Sequence, residues 1–189
     1  MNALTQPTLS LEAYLAWEED QPERHEFHHG EVFAMVGAKR VHGRVVGNIE
    51  RELGMLLKGT PCQTFHEGMK VQIADDTVLY PDVFVTCDKT DLATDRIFTA
   101  PTLVIEVLSP STQGYDRSQK FALYRRIPAL QEYILVDPDT RRVEGFRRRS
   151  DGLWVLHDMS ERIALTLASV GCEISMSDVF DGVEPAAQS

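Results

Sequence analysis

The chain has 189 residues, 43% of them hydrophobic and 25% charged, which fits one ordinary globular domain. That composition excludes a disordered chain, a collagen-like fibre and a disulfide scaffold. The formal net charge of −10 speaks against a general nucleic-acid coat, because binding phosphates takes concentrated positive charge.

In chain order, Ser10 caps a predicted helix over Leu11–Glu19, ended by Pro22. Next comes a hairpin, with Glu26–His28 outward, His29-Gly30 near the turn and Glu31–Met35 back. Val41, Val45, Ile49, Leu53, Leu56 and Leu57 recur at helical spacing, and Gly59 stops that helix. Four strand-like runs follow: Gln63–Ile73, Val78–Cys87, Thr102–Leu108 and Gln131–Val136. A helix over Arg117–Arg126 joins the last two, so they are expected to be parallel neighbours. Arg142–Arg148 and Leu153–His157 pair around Ser150-Asp151-Gly152, and Ser169–Phe180 closes the domain. One α/β domain with a mixed sheet is expected over residues 1–183, with a loose tail at 184–189.

Charge is unevenly spread. Residues 113–150 hold nine Lys/Arg against five Asp/Glu. A basic face suits a phosphate backbone, although a solvated Arg-rich hairpin is the plainer reading. No apolar run approaches the ~18 residues of a membrane span. The N-terminus lacks the basic and apolar regions of a secretory signal. Cys62, Cys87 and Cys172 are sparse and lack CxxC spacing, which suits a reducing cytoplasm.

His25-Glu26-Phe27-His28-His29 matches H-E-x-x-H, a zinc-protease signature. That chemistry needs both histidines on one helical face. Pro22 and Gly30 bound the segment too tightly for such a helix.

A stronger constellation is Tyr80-Pro81-Asp82-Val83 with Leu103-Val104-Ile105-Glu106-Val107-Leu108. Each places a carboxylate in an apolar strand, where an unpaired charge costs several kcal/mol by desolvation. Two such carboxylates on adjacent strands converge on one point and suit Mg²⁺ or Mn²⁺ and phosphate chemistry. The bland alternative is a buried carboxylate bonded to a loop or an Arg. Lys120, on the next helix, can reach back over the strand ends. Alternatively it pairs only with Asp116, four residues earlier. Tyr124, one turn on, reads as packing.

These residues resemble the Uma-type family of restriction-endonuclease-like proteins, within the PD-(D/E)XK nuclease superfamily. The resemblance runs from about Ser10 to Val183. It rests on Glu26 with Gly30-Glu31, His42, Tyr80-Pro81-Asp82-Val83, IEVLSPST after Pro101, Asp116…Lys120…Tyr124, and EYILVDP. It implies a restriction-endonuclease-like mixed β-sheet core flanked by helices. It also implies a divalent metal, Mg²⁺ or Mn²⁺, held by Asp82 and Glu106. The backbone carbonyl of Val107 is expected as a further ligand. Leu108 stands where the superfamily motif has lysine, so the lysine role falls to Lys120. Glu26 is expected as an auxiliary acid. The implied activity is hydrolysis of DNA phosphodiesters, with the Arg-rich segment 141–149 beside the cut. A homodimer is the economical way for single-site chains to cut both strands. A non-catalytic binding or assembly module on the same fold is the rival reading.

Overall fold

The computed structural model describes residues 9–35, 37 and 39–184. Of the tail expected at 184–189, only Glu184 lies among them.

α1 (Leu11–Glu19) begins at Ser10, whose Oγ accepts the Ala13 amide at 3.2 Å. β1 (His25–His28) and β2 (Glu31–Ala34) form the expected hairpin. Its turn residues His29 and Gly30 have φ of 52° and 81°, the left-handed pair that a two-residue I′ turn requires. α2 (Arg40–Leu56) is the long periodic helix.

Two of the predicted strands are each divided. Gln63–Ile73 becomes β3 (Gln63–His66) and β4 (Lys70–Ala74), parted at Gly68 with φ 87°. Val78–Cys87 becomes β5 (Thr77–Leu79) and β6 (Val83–Thr86). Pro81 has no amide to donate to a ladder, so pairing stops there. A short β7 (Ile97–Phe98) precedes β8 (Pro101–Val107). The crossover then runs through α3 (Gln113–Tyr115), a π turn (Asp116–Lys120) and α4 (Phe121–Tyr124), starting four residues before the predicted helix. β9 (Glu132–Asp137) returns parallel to β8, as expected. β10 (Arg142–Arg148) and β11 (Trp154–Asp158) form the Arg-rich hairpin. The segment after it contains a hairpin that was not predicted, β12 (Ala164–Leu167) with β13 (Cys172–Ser175), and then α5 (Met176–Val179).

The breaks in the two long runs have an architectural meaning. β4 and β5 belong to a five-stranded sheet ordered β2-β1-β5-β4-β7, whereas β3 and β6 belong to a six-stranded sheet ordered β11-β10-β9-β8-β6-β3. The chain therefore passes between sheets at residues 67–69 and again at 80–82. The two crossings touch: the Glu67 amide donates to the Asp82 carbonyl at 3.2 Å.

The larger sheet is covered on both faces. Val45, Val46, Ile49 and Leu53 of α2 pack against Val83, Ile105 and Val107 on one face. On the other face, Leu123 and Tyr124 of α4 meet Phe84, Val104 and Leu135. Each buried aliphatic side chain contributes about 1.5–3 kcal/mol relative to exposure. Side chains alternate along a strand, so Glu106 shares the α4 face with Val104. Glu106 is thus the polar residue inserted into an apolar layer.

Cys62 and Cys87 are disulfide-bonded, with Cα atoms 4.0 Å apart. They sit just beyond the paired residues Gln63 and Thr86 of β3 and β6. Register across two strands, invisible to a search for CxxC, brings them together. The sparse cysteines therefore no longer speak for a reducing compartment. Among the described residues, no helix is long and apolar enough to cross a membrane.

Candidate active site

Asp82 stands where the chain leaves one sheet and enters the other. Its Oδ2 accepts the Val107 amide at 2.7 Å and lies 3.2 Å from His42 Nε2. Its own amide reaches Glu106 Oε2 at 3.4 Å. The end of β8 and the start of β6 are thereby laced together through the two carboxylates. Val107, expected to supply its carbonyl, meets Asp82 through its N–H.

Tyr80 anchors this link from behind. Its hydroxyl donates to Glu18 Oε1 at 2.8 Å, and Glu18 is fully buried in α1. Burial, then the neighbouring Tyr14 and Glu18, holds the Tyr80 hydroxyl far above its ordinary range, so it remains a donor. The N-terminal helix thus fixes the residue two places before Asp82.

Lys120 projects from the π turn into the same layer. Its Nζ is 3.2 Å from Glu106 Oε1, 3.2 Å from Glu26 Oε1 and 3.6 Å from Asp116 Oδ1. The Glu106 contact is a hydrogen bond; the Glu26 contact is an ion pair without hydrogen-bond geometry. A pair with Asp116 and a contact with Glu106 are alternative expectations for Lys120, and the structure contains both, the Asp116 pair being buried instead of on the surface. The wide π turn seats Asp116 and Lys120 both inward, and such turns recur at functional sites.

These groups perturb one another. Burial pushes the Glu106 carboxyl well above the ordinary range, Lys120 opposes this, and Asp82, Asp116 and Glu26 reinforce it. Burial also raises Asp116, against the pull of Lys120. For Lys120 burial disfavours the charge, but Glu106 and Glu26 outweigh it and hold the ammonium well above its usual value. Burial likewise opposes a charged His42, yet the bond to Asp82 and the nearby Glu67 raise it. Tyr124 lies beside Glu106 and Lys120, and its buried hydroxyl has no partner.

His42 and Glu67 complete the cluster. One ligand atom from each of His42, Glu67 and Asp82 lies within 4.8 Å of the others. In the sequence His42 stands out only through the family resemblance, and Glu67 has no signal at all. It follows β3 at a sheet crossing that periodicity does not reveal.

The H-E-x-x-H histidines do not form a zinc site. Residues 25–28 are strand β1, so the two histidines stand at opposite ends of an extended segment instead of one helical turn apart. His25 Nδ1 is 3.0 Å from Glu18, and His29 Nδ1 is 2.7 Å from Asp76. The Arg-rich hairpin is largely engaged within the fold. Arg147 binds Glu132 and the Thr166 carbonyl, Arg148 binds the Pro128 carbonyl, and Arg149 pairs with Asp151.

The donor set fits a hard divalent cation. Glu26, Glu67, Asp82, Glu106 and Asp116 bring five carboxyl groups together around Lys120 and His42. Carboxylate oxygens are the donors such ions prefer.

Comparison with known proteins bears on the family and the fold. A family model described as "Putative restriction endonuclease", Uma2, matches residues 11–177. Two proteins of Synechocystis sp. are similar over most of their length. One, slr1290, is 36% identical over 178 residues, covering 94% of both chains. The other, sll1609, is 35% identical over 162 residues, covering 84% of this chain and 92% of its own. Both carry the description "Uncharacterized protein". A crystal structure from Anabaena variabilis, titled as a putative nuclease belonging to DUF820, superposes with a TM-score of 0.74. It covers 91% of this chain and 97% of that one at 19% identity, a likeness of fold.

Proposed function

The chain belongs to the Uma2 family of restriction-endonuclease-like proteins, and on that footing we propose that it is a divalent-metal-dependent endonuclease hydrolysing DNA phosphodiester bonds. The observation that carries this reading is the convergence of carboxyl groups around Asp82 and Glu106, two side chains linked through backbone amides at 3.4 and 2.7 Å.

Asp82 and Glu106 would hold the ion, Mg²⁺ or Mn²⁺, with the Val107 carbonyl as the further backbone donor. A divalent ion so held lowers the pKa of a bound water and offsets charge growing on the phosphate. Lys120 keeps its proton because three carboxylates surround it, and it presents an N–H to an oxygen that gains charge. Glu26 and Asp116 are positioning residues that fix this ammonium from either side. In-line displacement would leave a 5′-phosphate and a 3′-hydroxyl. Pairing of two copies would bring a second site to the opposite strand.

The test is nicking of supercoiled plasmid by purified protein with Mg²⁺ or Mn²⁺. Cleavage is expected, abolished by chelation and by Asp82→Ala. A folded protein that binds the ion and never cleaves single- or double-stranded DNA would leave the binding-module reading in its place.

A further inference from the structure

We propose that His42 and Glu67 are ligands of the same cation as Asp82, and that the imidazole makes the site prefer Mn²⁺ to Mg²⁺. The proposal rests on the cation site argued above and adds to it a ligand pair and a metal preference.

Three independent pieces of chain converge here. His42 comes from the first turns of α2, Glu67 from the crossing after β3, and Asp82 from the crossing before β6. Their ligand atoms lie within 4.8 Å of one another. The arrangement is built rather than incidental, because the Glu67 amide is bonded to the Asp82 carbonyl at 3.2 Å. That contact ties the two carboxylate-bearing crossings together through their backbones. The Cys62–Cys87 bond adds a second tie between β3, which leads into Glu67, and β6, which begins just after Asp82.

His42 is not used as a structural histidine is used. Its side chain is only 13% exposed. A histidine at such depth normally satisfies both ring nitrogens. Here Nδ1 is buried without a partner, and Nε2 faces only Asp82, at 3.2 Å. The ring is therefore aimed at the carboxylate and at little else. A cation between Nε2 and the Asp82 and Glu67 oxygens would give this orientation a purpose.

The donor chemistry then sets the metal. Mg²⁺ keeps oxygen ligands and sheds its waters reluctantly. Imidazole nitrogen suits transition metals, whereas carboxylates suit Mg²⁺, Ca²⁺ and Mn²⁺. Between Mg²⁺ and Mn²⁺, it is Mn²⁺ that takes imidazole nitrogen beside carboxylate oxygen more readily. One imidazole among carboxylates should favour Mn²⁺ over Mg²⁺ by about tenfold or more.

Two measurements on the full chain test this. Isothermal titration gives the Mn²⁺ and Mg²⁺ affinities of wild type, His42→Gln and Glu67→Gln, each checked for folding by circular dichroism. Wild type should bind Mn²⁺ at least about tenfold more tightly. His42→Gln should remove that preference by weakening Mn²⁺ and sparing Mg²⁺; Glu67→Gln should weaken both. Electron spin-echo spectroscopy of the Mn²⁺-loaded wild type should reveal ¹⁴N modulation from a bound imidazole. Its absence overturns the proposal even if His42→Gln does not fold. Equal Mn²⁺ and Mg²⁺ affinity in wild type overturns it too, as does an unchanged preference in His42→Gln. Failure of the nuclease reading looks different: Mn²⁺ bound with ¹⁴N modulation and no DNA cut leaves this inference standing.

Discussion

Lys120 Nζ lies 3.2 Å from Glu106 Oε1, across the crossover that joins β8 to the parallel strand β9. Both side chains are almost completely buried. Each resolves a problem posed by the other. A carboxylate in the layer of Val104 and Tyr124 needs a cation, and an ammonium there needs carboxylates. Glu26 arrives from β1 and Asp116 from the π turn, so three elements meet at one nitrogen.

Lys120→Met should therefore act on stability as well as on activity. Removing one partner of a buried charged cluster costs about 3–5 kcal/mol, less whatever the carboxylates recover by taking up protons. Urea unfolding in chelator should reveal that loss, and an added divalent ion should restore part of it. Unchanged stability would mean that Glu106 and Glu26 are already neutral without Lys120.

Glu106→Gln should separate charge from shape. Burial already biases this carboxyl towards its neutral form, which an amide imitates. The metal-free variant should lose less stability than Lys120→Met, because no cavity is made and Glu26 and Asp116 still face the ammonium. Its affinity for a divalent ion should fall at least tenfold, since an ionic donor is gone. Calorimetric titration beside thermal melts gives both readouts.

Much of this was legible because local signals and tertiary structure agreed. Ser10, the spacing of Val45, Ile49 and Leu53, and the apolar runs around Glu106 and Ile134 each state an element and the face it buries. Asp82 and Glu106 were visible because a charge in an apolar run is conspicuous, although Asp82 proves to stand at a crossing just before β6. What escaped depends on where the chain changes sheet. Gln63–Ile73 has a continuous strand-like pattern, yet Gly68 turns it at positive φ into another sheet. Glu67 becomes a site residue only through that turn. The Cys62–Cys87 bond escaped for the same reason, since it depends on the β3–β6 register. The β12–β13 hairpin is short and covers the α2 face, and its alternation over four residues per strand is too brief to stand out.

The H-E-x-x-H match yields a prediction about what the motif is for. His25 donates its amide to Glu18 and places Nδ1 3.0 Å from the same carboxylate. Tyr80 shares that acceptor at 2.8 Å. His25→Ala should cost about 1–3 kcal/mol, as loss of a partner to a buried acceptor does. Elemental analysis of wild type and variant should give no zinc attributable to His25 and His29. One tightly bound zinc per chain, lost with His25, would contradict this.

The metal-free protein should become less stable as the solution turns from mildly acidic to alkaline. Glu106 and Asp116 are held above the ordinary carboxyl range by burial, and His42 above its ordinary value by Asp82. A group raised in the folded state contributes stability that is complete below its unfolded pKa and disappears as pH climbs through its folded pKa. The unfolded values are 4.5 for Glu106, 3.8 for Asp116 and 6.5 for His42, so the decline begins near the lowest and continues past the highest. Lys120 is raised as well, but its unfolded value of 10.5 leaves its contribution intact across this range. His28 is lowered by burial, so its contribution grows as pH rises towards 6.5 and partly offsets the decline there. Asp76 and Asp158 are depressed, and what they contribute is lost only as pH falls below 3.8, outside the window. Thermal melts in chelator from about pH 4.5 to 8.5 should fall by several degrees, at roughly 2–4 °C per kcal/mol for a chain of this size. A divalent ion should reverse the trend, raising the melting temperature most at the alkaline end, where its ligands no longer hold protons. A melting temperature that rises steadily with pH in chelator would mean that these carboxyls are ionised throughout, with a partner other than Lys120 supplying the compensating charge.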